Sequence, residues 1–423
     1  YTSLYRTCLA PVVHSDADGE YRNHDGQLRR FTAGKNKYTI FSQWDVFRAL
    51  YPLFTLTQRE RLPDMINSML QFSRDNGLLP VWDISGWEAN TMTGYHSVPI
   101  IADAILKDIP GFDYQEAYAA MRKSAFQEQR GTPDYIHYGY LPQDRHGWSV
   151  TYTLEYAYDD WCIAQVAKKL GKQEDYALFM KRSESYKALF DAATGFFRSK
   201  DSLGRFIEPF DPLLSEHGFE GQYIEGTAWQ HSFFVPHDLS GLARLHGGHE
   251  KLIAKLDELF TAPSALHGEN VSMDVTGLIG QYAHGNEPSH HIAYMYTALG
   301  DPARAAHWIR IIADSMYKTG PDGLIGNDDC GQMSAWYVWS CLGMYPINPA
   351  GAAYVFGYPL VDQAQIQLAN GKYCMIKVKR QRKGLAAGIA KARWNGKEIP
   401  VRAISHHTIS QGGILELVVN TGE

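Results

Sequence analysis

The stretch Ile163-Ala-Gln-Val-Ala-Lys-Lys-Leu-Gly171 is apolar at helical spacing and closes on glycine. The pattern returns in Leu242-Ala-Arg-Leu-His-Gly-Gly248 and in Ile292-Ala-Tyr-Met-Tyr-Thr-Ala-Leu-Gly300. Glycine best tolerates the left-handed conformation at a helix C-terminus, and each stretch is followed within a few residues by another helical pattern. All three read as turns of αα-hairpins.

Working outward, the same periodicity marks helices over Gln43–Leu53, Glu60–Asn76, Tyr95–Lys107, Tyr114–Gln129, Gln173–Ala192, Trp229–Ala243, Glu250–Phe260, Ala303–Lys318 and Met333–Leu342. With the three above they number about twelve. Paired helices repeating over about 300 residues predict a mainly α protein, an (α/α)6 toroid across residues 1–350 whose long connections carry function. A looser helical solenoid is the alternative. After Gly351 the pattern changes to Tyr-Val-Phe-Gly-Tyr, Ala-Gln-Ile-Gln-Leu, Met-Ile-Lys-Val-Lys and Ile-Leu-Glu-Leu-Val-Val, which predicts strands and a small C-terminal β-region over 351–423. Its basic run Lys377–Lys383 reads as a solvated strand face.

Aromatic residues make up 13% of the 423 residues, enough to supply stacking platforms as well as a core. A net charge of -6 has the wrong sign for a phosphate-binding surface, which excludes nucleic acid as partner. No apolar run is long enough to span a membrane. Cys8, Cys162, Cys330, Cys341 and Cys374 are odd in number and widely spaced, so most are expected to be buried free thiols. The start, Tyr1-Thr-Ser-Leu, has neither an initiator Met nor a signal-peptide pattern, and is read as the edge of a portion of something longer.

Four connections concentrate carboxylates beside Trp or Gly. In Phe41-Ser-Gln-Trp-Asp45, Ser42 could cap the next helix with Asp45 in its first turn. Val81–His96 holds Trp82, Asp83, Trp87, Glu88, Asn90 and His96 in one loop, where exposed indoles suit a sugar. In Gln222–Asp238, Glu225 precedes a Gly at an aromatic helix start; partial desolvation there raises a carboxyl toward the range of a general acid. Glu220 is its rival, and helix capping is its other reading. The last pair is Gly280–His291 and Pro321–Trp336. Asn286 and Glu287 offer hard oxygens suited to Ca²⁺, whereas the adjacent His290 and His291 point apart and suit zinc poorly. Neighbouring Asp328 and Asp329 repel, a cost better tolerated at a catalytic or metal position than in a plain turn.

Thr153-Leu-Glu-Tyr-Ala-Tyr-Asp-Asp-Trp161, Glu225-Gly-Thr-Ala-Trp-Gln, Gly277–His291 and Gly326-Asn-Asp-Asp-Cys-Gly-Gln-Met-Ser-Ala-Trp336 together resemble glycoside hydrolase family 92, the calcium-dependent exo-acting α-mannosidases. The resemblance runs from the first residue to at least Leu360. It implies an (α/α)6 catalytic domain joined to an N-terminal β-sandwich, here expected to be missing and to pair with the C-terminal β-region; part of the +1 subsite would go with it. It also implies inversion at the anomeric carbon and a bound Ca²⁺ that grips the mannose hydroxyls.

Carried over by motif, Glu225 would be the general acid, and Asp328 or Asp329 the base, with Asp329 preferred. Asn286 and Glu287 would bind Ca²⁺. Trp44, Asp45, Trp87 and Glu88, with Trp229 and Gln230, would hold the terminal mannose or its neighbour. His267 and Glu269 would face the leaving group. A His-Glu dipeptide associated with α-1,2 cleavage is replaced by His267-Gly-Glu269, which leaves the linkage open. The implied partner is an α-mannoside oligosaccharide or glycoprotein glycan, met in the periplasm, at the cell surface or outside the cell. Another inverting glycosidase on the same toroid, or a mannose-binding or inactive fragment, is the competing reading. Trp44, Trp87, Trp229 and Trp336, each beside a candidate carboxylate, are expected to form the mannoside platform.

Overall fold

A computed structural model describes residues 1–382 and 386–422. Three helical hairpins form its frame: Ser149–Lys169 with Gln173–Arg182, Leu239–Leu245 with His249–Thr261, and Ile292–Leu299 with Pro302–Met316. Each turns at a glycine in the left-handed region, Gly171 at φ +75°, Gly247 at +86° and Gly300 at +103°, where a Cβ would be strained.

Ser149–Lys169 packs against Ser97–Leu106, Tyr114–Ser124 and Gln173–Arg182. It is buried over most of its circumference, as a helix without a clear polar face must be. That burial encloses Glu155, Asp159 and Asp160, and each has a cationic partner: His96 for the first two, Arg182 for Asp160.

Predicted helices hold with shifted bounds. Gln43–Leu53 divides into Gln43–Val46 and Leu50–Thr57. Gln173–Ala192 stops at Arg182 and continues as a 3₁₀ turn, Ser185–Leu189. Trp229–Ala243 breaks into Ala228–His231 and Leu239–Leu245 around Pro236, whose ring cannot continue a helix. Thr2–Arg6, Thr132–Tyr138 and the hairpin of Glu20–Arg22 with Leu28–Arg30 were not anticipated; all are too short to show periodicity.

The C-terminal residues form a five-stranded sheet in the order Gln363–Gln367, Tyr373–Gln381, Gly413–Asn420, Gly388–Trp394, Lys397–Ile399. Tyr373–Gln381 and Gly413–Asn420 run parallel with Ile376 opposite Leu415; the other pairs are antiparallel. Its inner face (Ile366, Cys374, Ile376, Leu415, Leu417, Val419) joins the same hydrophobic core as the helices. Lys377 and Lys379 are exposed, as expected of a solvated face; Lys383, the end of that basic run, lies outside the described residues. The cysteines are unpaired, but only Cys162 and Cys374 are fully buried; Cys330 and Cys341 are partly buried and Cys8 is exposed.

Candidate active site

All four connections converge. Phe41–Ser42 pairs with Trp82–Ile84, which pairs with Trp87–Glu88, so Val81–His96 contains a hairpin turning at Ser85-Gly86 instead of an open loop. The one-turn helix Gln43–Val46 then packs against the 3₁₀ turn Asp329–Gly331. The loops carrying Glu287 and Asp329 meet back to back: a Cβ on Gly326 would lie 2.7 Å from the Gly285 carbonyl oxygen. Only glycine permits that approach.

The result is a group of three carboxylates, Asp45, Glu287 and Asp329, with one oxygen from each within 4.8 Å of the others. Asp45 and Glu287 are buried, and neither oxygen of the Glu287 carboxylate has a protein partner. Ser42 does not cap its helix; its hydroxyl donates to Asp45. Burial and mutual repulsion hold Asp45 and Glu287 well above the usual carboxylate range. Burial, then Asp274 and Asp328, push Asp329 up to about 6. Unpaired buried carboxylates this close are costly unless protonated or neutralised by a cation, and their all-oxygen donor set is the kind that Ca²⁺ takes.

Glu225 stands beside this group. It is 7% exposed and adopts φ +44°, a strained conformation for a residue with a side chain; Asp329 does the same at +41°. The Asn286 side-chain amide donates to the Glu225 carbonyl at 2.8 Å and to its carboxyl at 3.3 Å. Burial and the nearby Asp274 carboxylate raise Glu225 to about 7. It does not cap the following helix: Thr227 does, its hydroxyl accepting from the Trp229 amide while Gln230 Oε1 accepts from the Thr227 amide. Its rival Glu220 is exposed.

The remaining predicted residues divide by burial. Trp44, Trp229 and Trp336 are buried and pack, with Trp44 donating to Glu155, Trp336 donating to the His290 carbonyl, and Trp229 between Phe196 and Lys255. The expected four-tryptophan platform therefore reduces to Trp87, which is 61% exposed. A large indole reaches the core wherever helices close over it. Glu88 accepts from the amides of Val81, Trp82 and Asn90 and so shapes its own hairpin. Gln230 also donates to the Gln281 carbonyl. His267 and Glu269 are both exposed, and His267 pairs with Asp211 at 2.6 Å. Asp328 and Asp329 diverge: Asp328 accepts from the Ser334 amide at 2.9 Å, leaving Asp329 to the carboxylate group. His290 and His291 bond separate carbonyls, of His284 and Phe233, and burial holds both low, at about 3 and about 4.

Four neighbours were not singled out from the sequence. Asp274 acts on both Glu225 and Asp329. Glu155 accepts from Trp44 Nε1, lies 3.8 Å from Arg48 and is joined to Asp159 through His96, which is 2.8 Å from Asp159 and 3.2 Å from Glu155. A signal existed: Glu155 and Asp159, at i and i+4, share one helix face and repel unless a cation lies between them.

The family model described as the glycosyl hydrolase family 92 catalytic domain matches residues 1–421. A family 92 α-mannosidase from Bacteroides thetaiotaomicron, solved in complex with mannoimidazole, is 40% identical with a TM-score of 0.94, over 100% of this chain and 56% of that one. A family 92 inverting mannosidase from the same organism is 33% identical with a TM-score of 0.87, over 99% of this chain and 58% of that one. An uncharacterized secreted glycosidase of Arthroderma benhamiae is 29% identical over 97% of this chain and 57% of its own length. The chain thus spans little more than half the length of these relatives. Matched along nearly its whole length, the chain belongs to glycosyl hydrolase family 92.

Proposed function

We propose that this chain is the catalytic portion of an inverting, calcium-dependent exo-α-mannosidase that removes terminal α-linked mannose from N-glycans or mannans, α-1,2 or related linkages included. The observation that carries it is the buried carboxyl of Glu225, held by the Asn286 amide and pushed up by burial, beside a three-carboxylate group of which Asp45 and Glu287 are buried, in a family 92 chain. The helical hairpins would complete an (α/α)6 toroid over residues 1–350, and residues 351–423 would pair with an N-terminal β-sandwich of the same polypeptide. Export, to the periplasm, cell surface or medium, follows from the location of such glycans and is supported by the secreted label of the fungal relative. No helix among the described residues is long and apolar enough to cross a membrane.

In the mechanism, Glu225 donates its proton to the glycosidic oxygen as the bond from C1 to that oxygen breaks. Asp329 takes a proton from a water on the opposite face while the water oxygen bonds to C1, so one displacement inverts the anomeric carbon and releases β-mannose. Asn286 positions Glu225 through its backbone and its carboxyl. Asp45, Glu287 and Asp329 would hold Ca²⁺, with the Asn286 carbonyl oxygen as a further hard donor in the same turn. Bound there, the ion would offset the crowded negative charge and orient sugar hydroxyls. Trp87, the exposed indole of its hairpin, would bound the mannose site, and His267 and Glu269 the leaving-group side.

The test is proton NMR of the first sugar released by the full-length protein from an α-mannoside, with and without chelator. The expected product is β-mannose, with activity lost in EDTA and restored by Ca²⁺. Release of α-mannose, or full activity in chelator, would overturn the proposal.

A further inference from the structure

Glu225 holds a backbone conformation that a side chain disfavours, φ +44°, so its surroundings must impose it. The two peptide groups flanking its α-carbon set that geometry, and the carbonyl of each is gripped by a buried side chain. The carbonyl of Glu225 itself accepts from the Asn286 amide at 2.8 Å. The carbonyl before it belongs to Ile224 and lies 2.7 Å from Nε2 of His231, a residue 2% exposed at the end of the one-turn helix Ala228–His231.

That contact fixes the tautomer of the imidazole. A carbonyl oxygen only accepts, so Nε2 carries a proton; burial holds the ring low, at about 4, so Nδ1 carries none. Nδ1 therefore accepts, and the hydroxyl of Thr151, on the helix Ser149–Lys169, donates to it at 3.3 Å. The same Thr151 oxygen accepts from the Ile224 amide at 3.2 Å. These bonds close a cycle from the Ile224 N–H to Thr151, from the Thr151 hydroxyl to His231, and from the His231 N–H back to the Ile224 carbonyl. Both polar groups of the residue before Glu225 are thereby tied, in a buried setting where an unpaired one is costly. Tyr223 stacks on the imidazole, ring centres 5.8 Å apart and planes at 27°. The ring also closes on Gly226, where a Cβ would lie 2.8 Å from Nε2, so the residue after Glu225 has to be glycine for His231 to keep its place.

We propose that His231, oriented by Thr151, is a positioning residue for proton donation: it holds the Ile224 carbonyl, and through it the strained backbone that aims the Glu225 carboxyl. This rests on the reading of Glu225 as the general acid. Without the bond the peptide group before Glu225 is free to turn, the residue relaxes toward the ordinary negative-φ regions, and its carboxyl shifts relative to Asp45, Glu287 and Asp329. A shift of about 1 Å is enough to cost about 10² in rate where the reacting groups must be aligned.

Steady-state kinetics of the full-length protein on a mannose disaccharide and on a dinitrophenyl α-mannoside separate this role from packing. His231→Phe keeps a ring to stack on Tyr223 and removes both of its bonds. It is expected to lose about 10²-fold in kcat on the disaccharide with little change in KM, and less than about threefold on the dinitrophenyl substrate, whose leaving group needs no proton. His231→Gln can place an amide N–H near the position of Nε2 and is expected to recover at least about tenfold of the loss on the disaccharide. No loss on the disaccharide, equal losses on the two substrates, or a Gln variant no better than the Phe variant would overturn the inference. If His231→Phe fails to fold, Thr151→Val, which keeps the shape of that side chain and removes the hydroxyl that orients the ring, decides by the same comparison of substrates. The acid reading fails separately: it falls if Glu225→Gln itself loses equally on both substrates, whereas a discriminating Glu225→Gln beside a His231→Phe that does not discriminate removes only the role of His231.

Discussion

Replacing Glu225 by Gln should stabilise the folded protein at alkaline pH while destroying its acid catalysis. In the folded state burial and Asp274 carry this carboxyl from 4.5 to about 7. Ionising it there costs about 3 kcal/mol more than in the unfolded chain. The sign follows from proton binding: between these two values the folded state holds the proton and the unfolded state has lost it, so stability falls as pH rises through the window. Below about pH 4.5 both states are protonated and the term vanishes; above about pH 7 the whole cost is felt. Gln never ionises, and its carbonyl oxygen can keep the bond from the Asn286 amide. Urea unfolding of both proteins from about pH 4 to about pH 9 should show the Gln variant gaining on the parent up to about pH 7 and then levelling, by about 2–3 kcal/mol. On rate, the variant should lose about 10²–10⁴ in kcat/KM on a mannose disaccharide and far less on a dinitrophenyl α-mannoside, whose leaving group needs no proton. A pH-independent stability difference, or equal losses on the two substrates, would refute the assignment.

Two further tests concern the neighbouring carboxylates and the exposed indole. Asp328→Ala removes the acceptor of the Ser334 amide and should cost about 1 kcal/mol in urea unfolding. Asp329→Asn should instead lower kcat by at least about 10² on every substrate, and raise the melting temperature measured in chelator by relieving crowding. Trp87→Ala, at an exposed position, should raise KM for an α-mannoside several-fold with a change in melting temperature near zero; an unchanged KM would return Trp87 to a purely local role beside His24.

Much of the frame was legible in the residues because local physics decides it. The glycines at 171, 247 and 300 end helices through backbone conformation alone, and alternation in Ile376, Val378, Leu415 and Leu417 marks strands whatever they pair with. The breaks at Phe47–Ala49 and around Pro236 were missed because the apolar pattern continues through them while the path of the chain is set by packing. The tryptophans failed for a related reason: an indole beside a carboxylate in sequence has no defined exposure until the helices close, and three of four were enclosed.

At the site, the sequence by itself determined which residue types were available: Glu225 beside a glycine, Asn286-Glu287, and the Asp328-Asp329 pair, in motifs that resemble one family. Only the tertiary structure decided what each could do. It sent Asp328 to a helix start and Asp329 to Asp45 and Glu287, more than forty residues from one and more than two hundred from the other. It left both Glu287 oxygens without a partner and set Arg48 beside a buried Glu155 that no local pattern joins to it. Proton affinity and cation affinity depend on burial and on the distance between charges. Those are properties of the folded chain, since residues far apart in sequence acquire them only when packing removes water between them.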